Sequence, residues 1–372
     1  MHSKKQKNMD QLSLVRKHIK GWLINGPIPV TAITTIVTDY IYEFYGTRVL
    51  AIPQSSDVSA LEVLPDGKIV TACHDNTLQI WDSVSGARLL TLSGHNSCMH
   101  ILVALPSNKL VAGSLDNKIL VWDIMNGTLM HTLKGHTSFL RAVIALPCGK
   151  LASASNDRTV QVWDTETGTS QILRQHTDHV HLLAALPSGK LVSASYDKTV
   201  RVWDVQSSEC LLILPQHVGY LNSMAVLPDG KLATSSWEDR TIQVWDTVTG
   251  KCALTLIGHN ETVCNLVVMP PDKLISCSYD GTVRVWDTKS WLCSVIIAVN
   301  DHYNTMRPVT LLPCDKLVTG SMNNDMQVWD TVSGKCLFEL DLMVNRHTIA
   351  NFYSSQCGKL VSMTKNMVCI WT

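Results

Sequence analysis

Residues 186–204 read LPSGKLVSASYDKTVRVWD. The stretch opens on a Pro-Ser-Gly turn and continues through five alternating apolar and small residues. It turns again at Tyr-Asp-Lys, then leaves through Thr, Val, Arg and Val to Trp203-Asp204. Period-two alternation bounded by turn formers is the pattern of a β-hairpin. The hairpin is one of a series. Trp-Asp recurs at Trp81, Trp122, Trp163, Trp203, Trp245, Trp286 and Trp329, and Trp371-Thr372 ends an eighth unit. The period is about forty residues, the range of stacked repeat architectures. A further alternating strand precedes each hairpin, and a loop such as Thr-Val-Thr-Gly-Lys (247–251) leads to a fourth. Each period is therefore one small antiparallel sheet with two apolar faces. Such a sheet is not stable alone and must pack against copies of itself.

These motifs resemble the WD-repeat family of β-propellers. The resemblance implies an all-β fold: an eight-bladed propeller over residues 47–372, preceded by a short α-helical segment at 1–46. In this reading each repeat supplies the outer strand of one blade and the three inner strands of the next. Thr47–Pro53 (TRVLAIP) then has no inner strands before it, and the last unit, ending NMVCIWT (366–372), has no outer strand. The two would complete each other, so the stop at Thr372 reads as ring closure.

Composition narrows the function classes. Among 372 residues, Lys+Arg (31) equals Asp+Glu (31), so no overall field draws the chain to nucleic acid or an anionic membrane. Twelve cysteines are scattered without a Cys-x-x-Cys pair, as expected of apolar fillers in a reducing, cytoplasmic setting rather than a disulfide or zinc framework. No cofactor or metal site is read. His100 and His181, which flank Arg141, read as channel-lining residues in contact with water.

Serine, histidine and aspartate share each repeat, which raises the question of a hydrolase. The sets are His95, Ser114, Asp116 and Trp122; His136, Ser155, Asp157 and Trp163; and His176, Ser195, Asp197 and Trp203. Two more are His217, Ser236, Asp239 and Trp245, and His259, Ser278, Asp280 and Trp286. A nucleophilic site occurs once in a chain, whereas this set occurs five times, so the reading is a structural relay. The buried indole donates to a serine, the serine to the imidazole, and the aspartate orients the ring. In the first unit Gln54 and Cys73 stand in for the histidine and serine.

Partner binding is read from the rim that the resemblance calls the top. Aromatic residues are scarce, at 6%, yet Phe139, Tyr196, Tyr220, Trp237 and Tyr279 all fall in its turns on blades 3 to 6. That composition suits a protein-binding hot spot. The residue after the first apolar position of each inner strand should face the channel, and this series includes Arg141 and Arg307. In F-box substrate receptors of this family, arginines there grip phosphorylated peptides; this chain offers two. Eight lysines, from Lys68 to Lys359, occupy the opposite rim and read as solvated turn residues.

Within the front segment Val30, Ile33, Ile36, Val37, Tyr40, Ile41 and Phe44 follow helical spacing, which predicts a helix ending near Gly46. The stripe reads as a plug buried against the rim of the propeller, or as a docking face for a second protein, since residues 27–44 are similar to the first helix of an F-box. The expectation is a monomeric, non-catalytic scaffold or adaptor that binds other proteins or peptides. A substrate-recruiting ubiquitin-ligase subunit is the alternative.

Overall fold

The second strand of each repeat shows why the sheets stack. Leu151–Ser155, Leu191–Ser195 and Leu232–Ser236 are buried at every residue, so both faces are covered. Alternating Ala, Ser and Thr let neighbouring sheets approach closely. The outer strands differ: Ser170–Leu173 exposes three residues and buries only Leu173. The computed structural model describes residues 42–44, 47–54, 56–106, 108–214, 219–299, 309–312, 315–320, 325–341, 351–354, 360–363 and 367–371.

These residues form eight antiparallel sheets, seven four-stranded and one five-stranded. The innermost strands touch in ring order, and Asn351–Ser354 touches Val58–Val63, so the ring closes on itself. Blade 1 spans 58–93, blade 2 99–133, blade 3 140–173 and blade 4 180–214. Blade 5 spans 221–256, blade 6 263–298 and blade 7 309–341. Blade 8 combines three strands from 351–371 with Thr47–Pro53, in which Val49 faces Trp371 and Pro53 faces Met367.

The core is not at the centre of the ring but between blades. Seven apolar clusters each join two consecutive blades, from blades 1 and 2 round to blades 8 and 1. In every cluster the later blade contributes its Trp-Asp tryptophan. Burying one indole removes roughly 200 Å² from water, worth about 5 kcal/mol before entropy is counted.

One expectation is corrected. Helical spacing carried the front helix through Phe44, but Tyr42–Phe44 is a strand paired with the outer strand of blade 8, Phe44 opposite Thr47. An unpaired outer strand offers a row of backbone donors and acceptors, and the aromatic pair Tyr42 and Phe44 suits a strand there. No helix occurs among the described residues. Residues 1–41, with the rest of the F-box-like stretch, lie outside them.

Ile52 is buried in the seam cluster beside Val368 and Ile370. Ile52→Ala should cost about 2–5 kcal/mol, read from urea unfolding. Ile172→Ala, on an exposed outer strand, should cost under about 0.5 kcal/mol. Equal costs would mean that the seam does not hold the ring.

Candidate interaction site

The relay under the top rim sets the positions of the rim turns. In blade 3, Trp163 Nε1 donates to Ser153 Oγ at 2.7 Å, and His136 Nε2 meets the same hydroxyl at 2.7 Å. His136 Nδ1 faces Asp157 Oδ2 at 2.7 Å. A carboxylate only accepts, so Nδ1 carries the ring proton and Nε2 accepts from the serine. Blade 4 repeats this with Trp203, Ser193, His176 and Asp197, and blade 6 with Trp286, Ser276, His259 and Asp280.

The relay serine is therefore not the expected one. Ser155, Ser195 and Ser278 lie two residues further along the strand. Trp163 pairs with Leu151 across the hairpin. Ser153 is about 7 Å along the strand from that point, but Ser155 is about 13 Å, beyond the indole's reach. Ser114, Ser155, Ser195 and Ser278 instead donate to the carbonyls of Ser97, Ser138, Asp178 and Glu261. Each also accepts the N–H of Asp116, Asp157, Asp197 or Asp280, which clamps the two top turns together. Ser236 makes no such bond among the described residues.

Threonine replaces the relay serine in blades 1, 5 and 7, where Trp81, Trp245 and Trp329 donate to Thr71, Thr234 and Thr319. In blade 1, Gln54 Oε1 accepts from Thr71, in place of the histidine. Blade 2 has Ala112 and no hydroxyl. There His95 Nε2 faces the Ala112 carbonyl, and its Asp116 contact lengthens to 3.3 Å. His217 lies outside the described residues.

The inner strands carry a second recurring device. In blades 1 to 6 the register slips at the second residue, leaving Ser59, His100, Arg141, His181, Asn222 and Cys264 as bulges. A bulge re-aims its side chain. Ser59, His100, His181 and Asn222 use this to donate across the junction, to the carbonyls of Met99, Leu140, Leu221 and Val263. Arg141 instead donates through Nε to Asn156 of its own blade at 2.7 Å, and its terminal amino groups have no partner among the described residues. The Nε2 atoms of His100 and His181 are committed to carbonyls. Among the described residues no group of three His, Cys, Asp or Glu is placed to hold a metal ion. Arg307 lies outside the described residues.

Four of the five rim rings pair across blades rather than each covering its own turn. Tyr196 of blade 4 meets Tyr220 of blade 5 edge-on at 5.4 Å, and Trp237 of blade 5 meets Tyr279 of blade 6 at 5.8 Å. His181 lies under Tyr196 at 4.4 Å, and Lys198 Nζ sits 5.5 Å from the Tyr220 ring. Phe139, Tyr220 and Trp237 stay 50%, 47% and 49% exposed, while Tyr196 and Tyr279 are half-buried. Backbone bonds fix this arc: Tyr196 N–H donates to the His179 carbonyl, Trp237 to Tyr220 and Tyr279 to Thr262. On the opposite rim Lys68, Lys109, Lys231 and Lys273 are paired with Asp66, Glu166, Asp229 and Asp315.

The family model of the WD domain, G-beta repeat, matches residues 46–82, 86–123, 127–164, 168–204, 208–246 and 250–287, more than half of the chain. The chain belongs to the WD-repeat family. The outer strand of blade 6, all of blade 7 and the three inner strands of blade 8 complete the ring beyond the matched residues. No curated protein matches the chain in sequence. Among solved structures it is similar to a computationally designed protein, Ika8, at 26% identity and a TM-score of 0.74, over 86% of this chain and 97% of that one. WD-repeat propellers typically serve as protein-interaction scaffolds and are generally non-catalytic.

Two outcomes test the relay. Trp163→Phe removes the indole N–H. Its cost should couple to Ser153→Ala by about 1 kcal/mol and add to Ser155→Ala within about 0.5 kcal/mol. The second outcome is acid sensitivity. Burial alone would raise Asp157 and Asp197, but hydrogen bonds from the imidazole, the following threonine and backbone outweigh it and hold both well below the usual carboxylate range. Burial lowers His95 and His259 despite their aspartates. In both classes the folded value lies below the unfolded one, so the contribution is complete at neutral pH. Burial pushes Glu62 up to about 7, which works against the imidazoles between about pH 7 and 5, so the thermal midpoint should fall clearly only below about 4, where Asp157 and Asp197 lose their depressed-pKa stabilisation. A midpoint that holds steady between about pH 4 and 2 would contradict this.

Proposed function

We propose that the propeller works by binding, holding a segment of another protein across the top rim of blades 3 to 6. The observation that supports this is the half-exposure of Phe139, Tyr220 and Trp237 on one rim, in a chain with few aromatic residues. Single exposed rings are ordinary on any surface. An arc of rings braced by ring pairs and backbone bonds presents rigid apolar anchors that lose little entropy on binding. Arg141 adds guanidinium donors at the channel end of the same rim. The histidine–aspartate sets serve the relay in blade after blade, which argues against a catalytic role for any one of them.

The test is capture from lysate by the intact chain and by Phe139→Ala, Tyr220→Ala and Trp237→Ala variants, with identification by mass spectrometry. Each substitution should weaken a rim partner by about 2 kcal/mol, roughly thirty-fold in Kd, with the thermal midpoint nearly unchanged. A chain lacking residues 1–41 asks separately whether the F-box-like segment retains a ligase adaptor. If all three rim variants keep every partner of the intact chain, the rim is not the binding surface.

A further inference from the structure

Charge on the top rim is segregated by blade, and this gives the bound segment a direction. Resting on the reading that the rim binds a protein segment, we infer that the segment is dipolar. Its acidic end lies over blades 3 and 4, its apolar middle over the rings, and its basic end over blades 5 and 6.

The cationic pole consists of Lys134, Arg141, Arg158 and Arg174, in or beside the top turns of blades 3 and 4. All four are exposed, and none enters an ion pair among the described residues. The acids nearby, Asp157, Asp178 and Asp197, keep their negative charge, the first and last while accepting from relay imidazoles; Lys198, next to Asp197, makes five cations facing these three carboxylates. Arg141 also stands apart from the polar collar of bulge residues, because it does not donate across its junction. The acidic pole is Glu238, exposed and without an ion pair among the described residues, together with Glu261. Arg240 answers only Glu261, at 3.6 Å.

Tyr196 and Tyr220 pair across the junction of blades 4 and 5, where the two poles meet, and Trp237 and Tyr279 pair beside the acids on blades 5 and 6. Exposed charges act over a Debye length of about 8 Å in physiological salt, so the poles are read locally and are not averaged across the ring. A segment laid in the opposite charge order would set like charges against each other at both ends, which costs affinity and excludes it.

The test is selection from a random dodecapeptide phage library on the intact chain. Retained peptides should carry acids at one end, apolar residues in the middle and Lys or Arg at the other. Arg141→Glu with Arg158→Glu should weaken one such peptide at least tenfold. The same peptide with its acids changed to lysine should recover to within threefold on that variant. Peptides with unsegregated charge, or an unchanged affinity after reversal, overturn the dipolar segment and leave the rim reading standing. Peptides that bind the Tyr220→Ala, Trp237→Ala chain as well as the intact one overturn both, as does a library that yields none.

Discussion

An indole buried between two sheets has one N–H, and water cannot reach it. Every blade junction described here contains such a tryptophan, and the rest of the structure follows from satisfying that donor. In blades 3, 4 and 6 a hydroxyl two residues past the tryptophan's cross-strand partner accepts it and donates onward to a histidine, which an aspartate in the next turn holds in one tautomer. The same aspartate accepts the backbone N–H of Thr137 and of Thr159, so the core donor is tied to the rim turns. Blade 2 shows the dependence from the other side: without a hydroxyl at Ala112, the His95–Asp116 contact slackens.

Much of this was legible in the sequence, because the strands are short, the turn formers regular and the Trp-Asp spacing nearly constant. The relay serine was misread for a physical reason. Ser153 and Ser155 lie on the same face of one strand, so alternation cannot separate them; only cross-strand register with Trp163 does. Comparing repeats does not separate them either, because each series loses its hydroxyl once, at Ala112 in one and at Cys73 in the other. The strand at Tyr42–Phe44 was hidden because its apolar residues fit a helical stripe equally well. What decides it is the free outer edge of Thr47–Pro53, a strand held in the ring by its pairing with Met367–Trp371, more than three hundred positions away.

The rim follows from the relay and the bulges together. Clamped turns fix where Tyr196, Trp237 and Tyr279 leave the backbone, while bulged inner strands spend their polar side chains on the neighbouring blade. What remains available on the surface is therefore a small set: a few rings, a guanidinium and a handful of charges. Sequence spacing placed the rings on one rim but could not show that they pair across blades. That depends on the distance between neighbouring inner strands, which no single repeat encodes.

The offset between repeat and blade has a consequence for how such a chain changes over time. Because Thr47–Pro53 finishes the sheet begun by Asn351–Ser354, the unit written in the sequence is not the unit that folds. Duplicating or losing one written repeat by recombination would add or remove a whole sheet while keeping the splice intact, and no raw edge would appear. The number of blades is then a property of how a ring of twisted sheets fits around its axis, free to drift by whole units without passing through an open form.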